Sequence, residues 1–297
     1  MVNDREEPGP GADPVVISDG HSTDVVALLR QRGCDPFAAV EGRGGDAPAV
    51  THGTTICAIR YVDGVVMAGD RRATAGNIIA HRAMEKVYPA DRHSGVAIAG
   101  AAGAAMEMVK LFQLQLEHYE KLEGMALSFE GKANTLAQMV RSNLPAAIQM
   151  GMVVVPLFAG YDLRRERGRI FTYDYTGGRY EETDYQAEGS GGRDARTTIK
   201  LGWHDSLTRD ETLELAIQAL YEAADEDSAT GGPDPIRGLY PKMATITAEG
   251  FVDVPDQEVA TRFAALIERR RQRGGSVEQA APPTSVTPKA GRGKSSS

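Results

Sequence analysis

Cysteine is scarce: Cys34 and Cys57 are the only two in 297 residues. That count excludes a disulfide-framed secreted domain and suits a reducing compartment. Long apolar runs are missing too. None approaches the roughly 20 residues that a membrane-crossing helix needs. Positive charge is short, with 33 Lys and Arg against 41 Asp and Glu and a net charge of −8. An acidic chain argues against a general nucleic-acid binder. The chain opens with Asp4-Arg5-Glu6-Glu7, acidic where a secretory signal is basic, and no long apolar region follows. The six histidines, His21, His52, His81, His93, His118 and His204, show no metal-ligand spacing, so no zinc site is expected. No G-x-S-x-G elbow is present.

What remains is a globular composition, 41% hydrophobic and 25% charged, sufficient for one large domain or two small ones. The chain changes character at Gly53-Thr54-Thr55-Ile56. Before it lies a polar lead rich in Gly and Pro, with a net charge of −5 over residues 1–53. After it, Thr54-Thr55-Ile56-Cys57-Ala58-Ile59 is β-branched and apolar, as in a strand. A cut between Gly53 and Thr54 would put a hydroxyl nucleophile and a free amine on one residue. Such an amine titrates near about pH 8 in model peptides, so it can take the hydroxyl proton without a histidine. Glycine before the cut can take strained backbone angles and leaves its carbonyl open to attack. The expected organisation is a removable prosegment over 1–53, a catalytic domain over 54–273 and a disordered Ser/Pro/Lys tail over 274–297. Cys34 would leave with the prosegment.

Downstream, the pattern predicts strands over 54–61 and 65–69 joined by the hairpin signal Val62-Asp63-Gly64. Two more strands are expected around Lys86-Val87-Tyr88 and over 96–99. Gly100 should open a long helix reaching about Glu123, with Ala105, Val109, Phe112, Leu116 and Tyr119 on one face. A second helix over 132–150 contains Pro145, which should kink it. Strands are expected over 152–160, 169–175 and 179–182, then a loop at Ser190-Gly191-Gly192 and a short helix over 194–201. Thr208-Arg209-Asp210-Glu211 is a capping box opening a helix that carries Leu213, Ile217 and Leu220 inward. Strands over 243–247 and 251–254 pair across Glu249-Gly250, and a last helix covers 257–271. Helices come in blocks, which favours stacked layers over a doubly wound parallel sheet.

Six pieces, in this order, carry a resemblance: Gly53-Thr54-Thr55-Ile56, Gly69-Asp70-Arg71-Arg72, Lys86, Ala99-Gly100, Gly189-Ser190-Gly191 and Asp227-Ser228-Ala229-Thr230-Gly231-Gly232. Over residues 53 to about 255 the chain resembles proteasome β subunits, of the amino-terminal-nucleophile hydrolase family, most of all the actinobacterial branch. The resemblance implies an α+β fold, a four-layer α/β/β/α sandwich. It implies a threonine endopeptidase, without cofactor or metal, made as a precursor and active in the cytoplasm inside stacked rings. Its partners would be proteasome α subunits and other β subunits, a ring-shaped ATPase acting through the α rings, and polypeptide substrates carrying a tag. Neither nucleic acid nor membrane is among them.

On the same resemblance, Thr54 is the nucleophile. Asp70 and Lys86 form a buried pair beside it, in which a charged lysine favours a developing alkoxide and Asp70 keeps it charged and aimed. Either amine, that of Lys86 or that of Thr54, can be the first proton acceptor. Ser190, Asp227 and Thr230 match positions that hydrogen-bond around the terminal amine. Thr230 stands where serine is frequent, and Gly192 replaces a second serine, so that hydroxyl's role is absent. The Gly100 N–H, at the start of a helix, is the oxyanion-hole candidate. Ala73, Thr74, Met84, Ile98 and Ala102 are the substrate-binding candidates. The four apolar members line the pocket for the residue before the scissile bond and favour large apolar side chains. A simpler bacterial two-ring, ATPase-driven protease, a non-catalytic ring subunit and a dinucleotide-binding reading of Gly100-Ala101-Ala102-Gly103 are the competing interpretations. The last lacks the middle glycine of G-x-G-x-x-G and a strand-borne acid about 20 residues on.

Overall fold

The computed structural model describes residues 53–278. Residues 1–52, within the expected prosegment, and 279–297, within the expected tail, lie outside the described residues. Alternation along the strands explains the architecture, because each central strand buries both of its faces. In β1 (Thr55–Tyr61) Ile56 and Ala58 point one way and Cys57, Ile59 and Tyr61 the other. β2 (Gly64–Gly69) does the same with Val65 and Met67 against Val66 and Ala68. A strand buried on both faces needs a layer on each side.

Those layers are two five-stranded sheets packed face to face, with all pairs antiparallel. The first has the order β10-β1-β2-β11-β12, where β10 is Tyr185–Gly189, β11 Lys242–Thr247 and β12 Gly250–Asp253. The second has the order β5-β6-β7-β8-β9, comprising Val87–Asp91, Ser94–Gly100, Val154–Asp162, Arg167–Tyr173 and Arg179–Glu182. Ile56, Met67, Ala97, Leu157, Ile170 and Ile246 meet between the sheets. Helices α1 (Ala102–Glu123) and α2 (Phe129–Ser142) cover the second sheet, packing Phe112 and Leu136 on Phe158 and Phe171. Helices α4 (Gly192–Gly202), α5 (Arg209–Glu226) and α6 (Asp256–Glu278) cover the first through Ile199, Leu213, Leu220 and Phe263. The result is the α+β sandwich with α/β/β/α layers.

Several boundaries differ from the sequence expectation. Pro145 does not kink one helix; it separates two. α2 starts earlier, capped by Ser128 Oγ accepting the Gly131 N–H at 3.1 Å, and ends at Asn143. Pro145 then occupies the first turn of α3 (Leu144–Met150), where its missing N–H costs nothing. α1 starts at Ala102, not Gly100. Gly100 is the last residue of β6 with φ +100°, and a Cβ there would lie 2.1 Å from the Val153 carbonyl oxygen. The strand–helix junction also removes the dinucleotide reading, since β6 pairs antiparallel with β7 and no parallel crossover is present there. β7 begins and ends two residues later than expected and β8 two residues earlier, so that the two strands pair up to Asp162 and Arg167. The hairpin of β3 (Ala73–Ala75) and β4 (Ile78–His81), and strand β10, were not expected. The final helix continues to Glu278, beyond its expected end at 271.

Candidate active site

The first hairpin sets the site. Its register places Ile56 opposite Gly69, so Asp70 arrives beside the beginning of β1. Asp70 N–H donates to the Thr55 carbonyl at 3.0 Å. In return the Thr55 N–H donates to Asp70 Oδ1 at 2.8 Å. Lys86 comes from the other sheet, immediately before β5, with its own carbonyl accepting the Ile98 N–H at 2.9 Å. Its Nζ donates to the same Asp70 Oδ1 at 2.6 Å and to the Arg72 carbonyl at 2.6 Å. One carboxylate oxygen therefore joins the Thr54–Thr55 peptide to the lysine ammonium.

Both side chains of this pair are fully buried, where an unpaired charge is costly. The second carboxylate oxygen is also occupied: Oδ2 accepts the N–H groups of Arg72 at 2.8 Å and Gly231 at 2.9 Å. Burial pushes the Lys86 ammonium below the ordinary lysine range, with the Asp70 carboxylate opposing that shift. A lysine tuned downward gives up or takes a proton nearer neutrality than a surface lysine does.

On the other side of Thr54, β10 pairs with β1 with Gly189 opposite Thr55. The Ser190 N–H donates to the Thr54 carbonyl at 2.8 Å, and the Thr54 N–H donates to Ser190 Oγ at 3.2 Å. Gly189 has φ +98°, and a Cβ there would lie 1.9 Å from the Thr54 oxygen, so no other residue fits that approach. Asp227 ends α5 and its Oδ2 accepts Ser190 Oγ–H at 2.5 Å and Thr230 Oγ1–H at 2.6 Å. Burial alone would push the Asp227 carboxyl up. The hydrogen bonds from Ser190, Thr230 and the Ala229 N–H, with the Arg72 charge, outweigh it and hold the group below the usual carboxylate range.

The structure thus gathers Thr54, Asp70, Lys86, Ser190, Asp227 and Thr230 around one peptide. Among the described residues, no cluster of three or more His, Cys, Asp or Glu could hold a metal, and no helix is long and apolar enough to cross a membrane. A family model described as Proteasome subunit matches residues 50–235. The chain belongs to the proteasome subunit family. It is 54% identical over 274 residues to a proteasome subunit beta of Acidimicrobium ferrooxidans, covering 92% of this chain and 95% of that one. A proteasome subunit beta of Streptomyces griseus is 58% identical over 219 residues, 74% of this chain and 78% of its own. One of Acidothermus cellulolyticus is 49% identical over 276 residues, 90% and 95% of the two chains. Family membership makes the chain a subunit of a proteolytic assembly.

In this proteasome subunit the residue before Thr54 is also held in place. Gly53 N–H donates to Thr74 Oγ1 at 3.1 Å, which puts Thr74, on β3, against the backbone on the far side of the junction. A Cβ on Gly53 would lie 1.9 Å from the Ala229 Cβ and 2.6 Å from the Ala229 carbonyl oxygen. Sequence reasoning attributed this glycine to strained backbone angles. The structure attributes it to close approach, with Ala229 leaving no room for a side chain. On the Gly53–Thr54 cut expected from the sequence, Gly53→Ala should displace the junction and slow conversion to a shorter chain by roughly 10-fold or more, measured by intact mass against time. Conversion at the unaltered rate would remove Ala229 as the constraint.

The remaining substrate-binding candidates divide by burial. Ile98 is buried between the second sheet and its helices, and Met84 packs against that cluster while partly open. Ala73 and Ala102 are half-buried. Gly100 ends β6, two residues after Ile98 and two before Ala102, a strand residue and not a helix-start amide. Residues that sequence reasoning passed over are Thr55, Arg72 and Ala229. Arg72 ties two loops together through its guanidinium to the Ser228 carbonyl at 2.8 Å.

Proposed function

We propose that the chain is a catalytic proteasome β subunit, a threonine endopeptidase that releases its own nucleophile by cutting between Gly53 and Thr54. The observation that carries this reading is the pair of anchors on the Thr54 backbone. Asp70 Oδ1 bonds the Thr55 N–H on one side and Lys86 Nζ on the other, and Ser190 Oγ faces the Thr54 nitrogen.

The first reaction is intramolecular. Thr54 Oγ1 attacks the Gly53 carbonyl carbon, the Gly53–Thr54 C–N bond breaks, and the nitrogen takes a proton as an ester forms. Water then hydrolyses the ester, releasing residues 1–53 with a terminal carboxylate and leaving a free amine on Thr54. Ser190 Oγ is placed to accept a hydrogen bond from that amine as it does from the peptide N–H. In later turnovers Thr54 Oγ1 attacks a substrate carbonyl. Its proton passes to an amine, that of Lys86 or that of Thr54, and on to the leaving nitrogen. Water hydrolyses the acyl-enzyme. A backbone N–H at Gly100 bears on the oxyanion, and Thr74 holds the substrate backbone as it holds Gly53.

Ala73, Met84, Ile98 and Ala102 give the adjoining pocket no charge. A large apolar side chain buried there gains roughly 1.5–3 kcal/mol. The acidic prosegment masks the nucleophile until the subunit is enclosed by other β subunits and by α subunits, with a ring ATPase delivering tagged polypeptides in the cytoplasm. The test is co-expression with a candidate α subunit, with activity and intact mass measured on each size-exclusion fraction. We expect a large particle, a chain beginning at Thr54, and faster cleavage after Tyr, Phe or Leu than after Arg or Asp. An active, processed monomer would overturn the assembly requirement, and preference for Arg or Asp would overturn the pocket.

A further inference from the structure

β1 begins with a buried hydroxyl that the proposed reaction leaves unused. Thr55 is fully buried, yet its side chain sits among polar groups. Its Oγ1 lies 2.6 Å from Thr230 Oγ1 and accepts the Gly191 N–H at 3.1 Å. Proton directions follow from Asp227, whose carboxylate can only accept. Thr230 gives its one proton to Asp227 Oδ2, so its oxygen accepts from Thr55. The Thr55 proton therefore points to Thr230, and its lone pair takes the Gly191 N–H. Ser190 likewise commits its proton to Asp227 at 2.5 Å, in preference to the Thr54 carbonyl at 3.3 Å. That leaves a Ser190 lone pair facing the Thr54 nitrogen.

Two branches thus leave one carboxylate oxygen and are rejoined by the Ser190–Gly191 peptide. The circuit runs from Asp227 through Ser190 and Gly191 to Thr55, then through Thr230 back to Asp227. Gly191 closes it, since a Cβ there would lie 2.5 Å from Thr55 Oγ1 and 2.8 Å from Thr230 Oγ1.

We propose that Thr55 is a positioning residue for the site: its hydroxyl holds the Gly191 amide and the Thr230 hydroxyl in place, so that Ser190 keeps its lone pair on the Thr54 nitrogen. This inference rests on the peptidase reading above. Without the hydroxyl, a buried N–H loses its acceptor and the Ser190 turn loses its tether to β1. The Asp227 carboxylate, faced also by Arg72 and Lys86, keeps the Thr230 proton but loses the fixed placement of Ser190, one of the donors that hold it ionised.

The test compares Thr55→Val, which keeps the shape, with Thr55→Ser, which keeps the hydroxyl, in assembled and processed particles. For Thr55→Val, kcat should fall roughly 10- to 100-fold with KM changed by less than about twofold. The acid limb of its pH–rate profile should move to higher pH. Thr55→Ser should restore both, and Thr55→Cys, a weaker donor, should lie between, which serves if Thr55→Val does not assemble. Val within about twofold of the unaltered chain, or Ser falling as far as Val, would overturn the proposal. Amide exchange in the peptide containing Gly191 separates this proposal from the peptidase reading. It should quicken in Thr55→Val and stay slow in Thr55→Ser whether or not the particle cuts peptides. An inactive unaltered particle with that exchange pattern overturns the peptidase reading alone.

Discussion

A chain carrying Thr54→Ala should stay at full length and cut no peptide. The change removes one hydroxyl and one methyl group. The Thr54 backbone keeps its bonds to Ser190, and Thr55 keeps its bond to Asp70, so the fold and the surrounding geometry persist. What is lost is the hydroxyl that attacks the Gly53 carbonyl in the proposed reaction. Loss of a nucleophile leaves only positioning and electrostatic assistance to water, and peptide turnover should drop by roughly 10⁴-fold or more. Intact mass reports the processing and fluorogenic peptides report the turnover. Thr54→Ser retains a hydroxyl and should still shorten. A Thr54→Ala chain that matures with no other active subunit present would sink the intramolecular mechanism.

Lys86→Ala should leave a folded, ring-forming subunit whose rate is lower by orders of magnitude. Removing one member of a buried ion pair can cost about 3–5 kcal/mol when the other charge is stranded. Asp70 is not stranded. It still accepts N–H bonds from Thr55, Arg72 and Gly231, so the cost should lie at or below the bottom of that range. The chemical loss is separate and larger, because the positive charge and proton site next to Thr54 disappear. General acid–base assistance alone is worth about 10²–10⁴-fold. Lys86→Arg should not rescue: the Lys86 and Asp70 side chains are fully buried where Nζ bridges Asp70 Oδ1 and the Arg72 carbonyl, and a guanidinium is broader and stays protonated. Single-turnover and steady-state rates on rings of confirmed size check this. Near-normal turnover in Lys86→Ala rings would refute the assignment.

How much of this was legible depended on what each residue had to do. β1 was plain because an apolar, β-branched run buried on both faces has no helical interpretation. The block order of helices and strands likewise gave the layers. Thr54, Asp70 and Lys86 were nameable through motif resemblance. That one oxygen of Asp70 serves both Lys86 and the Thr55 amide is a matter of register between two sheets, which no spacing encodes. Pro145 was visible as a breaker, but a kink and a break differ only in whether α2 finds another end, here at Asn143, whose side-chain amide donates to the Met152 carbonyl at 2.8 Å. The β3–β4 hairpin pairs only a few residues, with β4 exposed throughout, so it carries little burial pattern. Thr55 was hidden by its own suitability as a strand residue, and its hydroxyl acquires meaning only with Thr230 opposite.

The contacts that make the site span most of the domain. Thr55 meets Thr230 across a sequence separation of 175 residues, and Gly231 meets Asp70 across 161. Contacts of such high order close late in folding, since the intervening chain's loop entropy must be overcome before they form. The β1–β2 hairpin can form early, bringing Asp70 to Thr55, but the turn carrying Asp227 and Thr230 arrives only when α5 has docked on the first sheet. In the proposed reaction, folding therefore times competence at Thr54: a nascent or half-folded chain lacks the far end of its own site, and the cut waits for a completed tertiary structure.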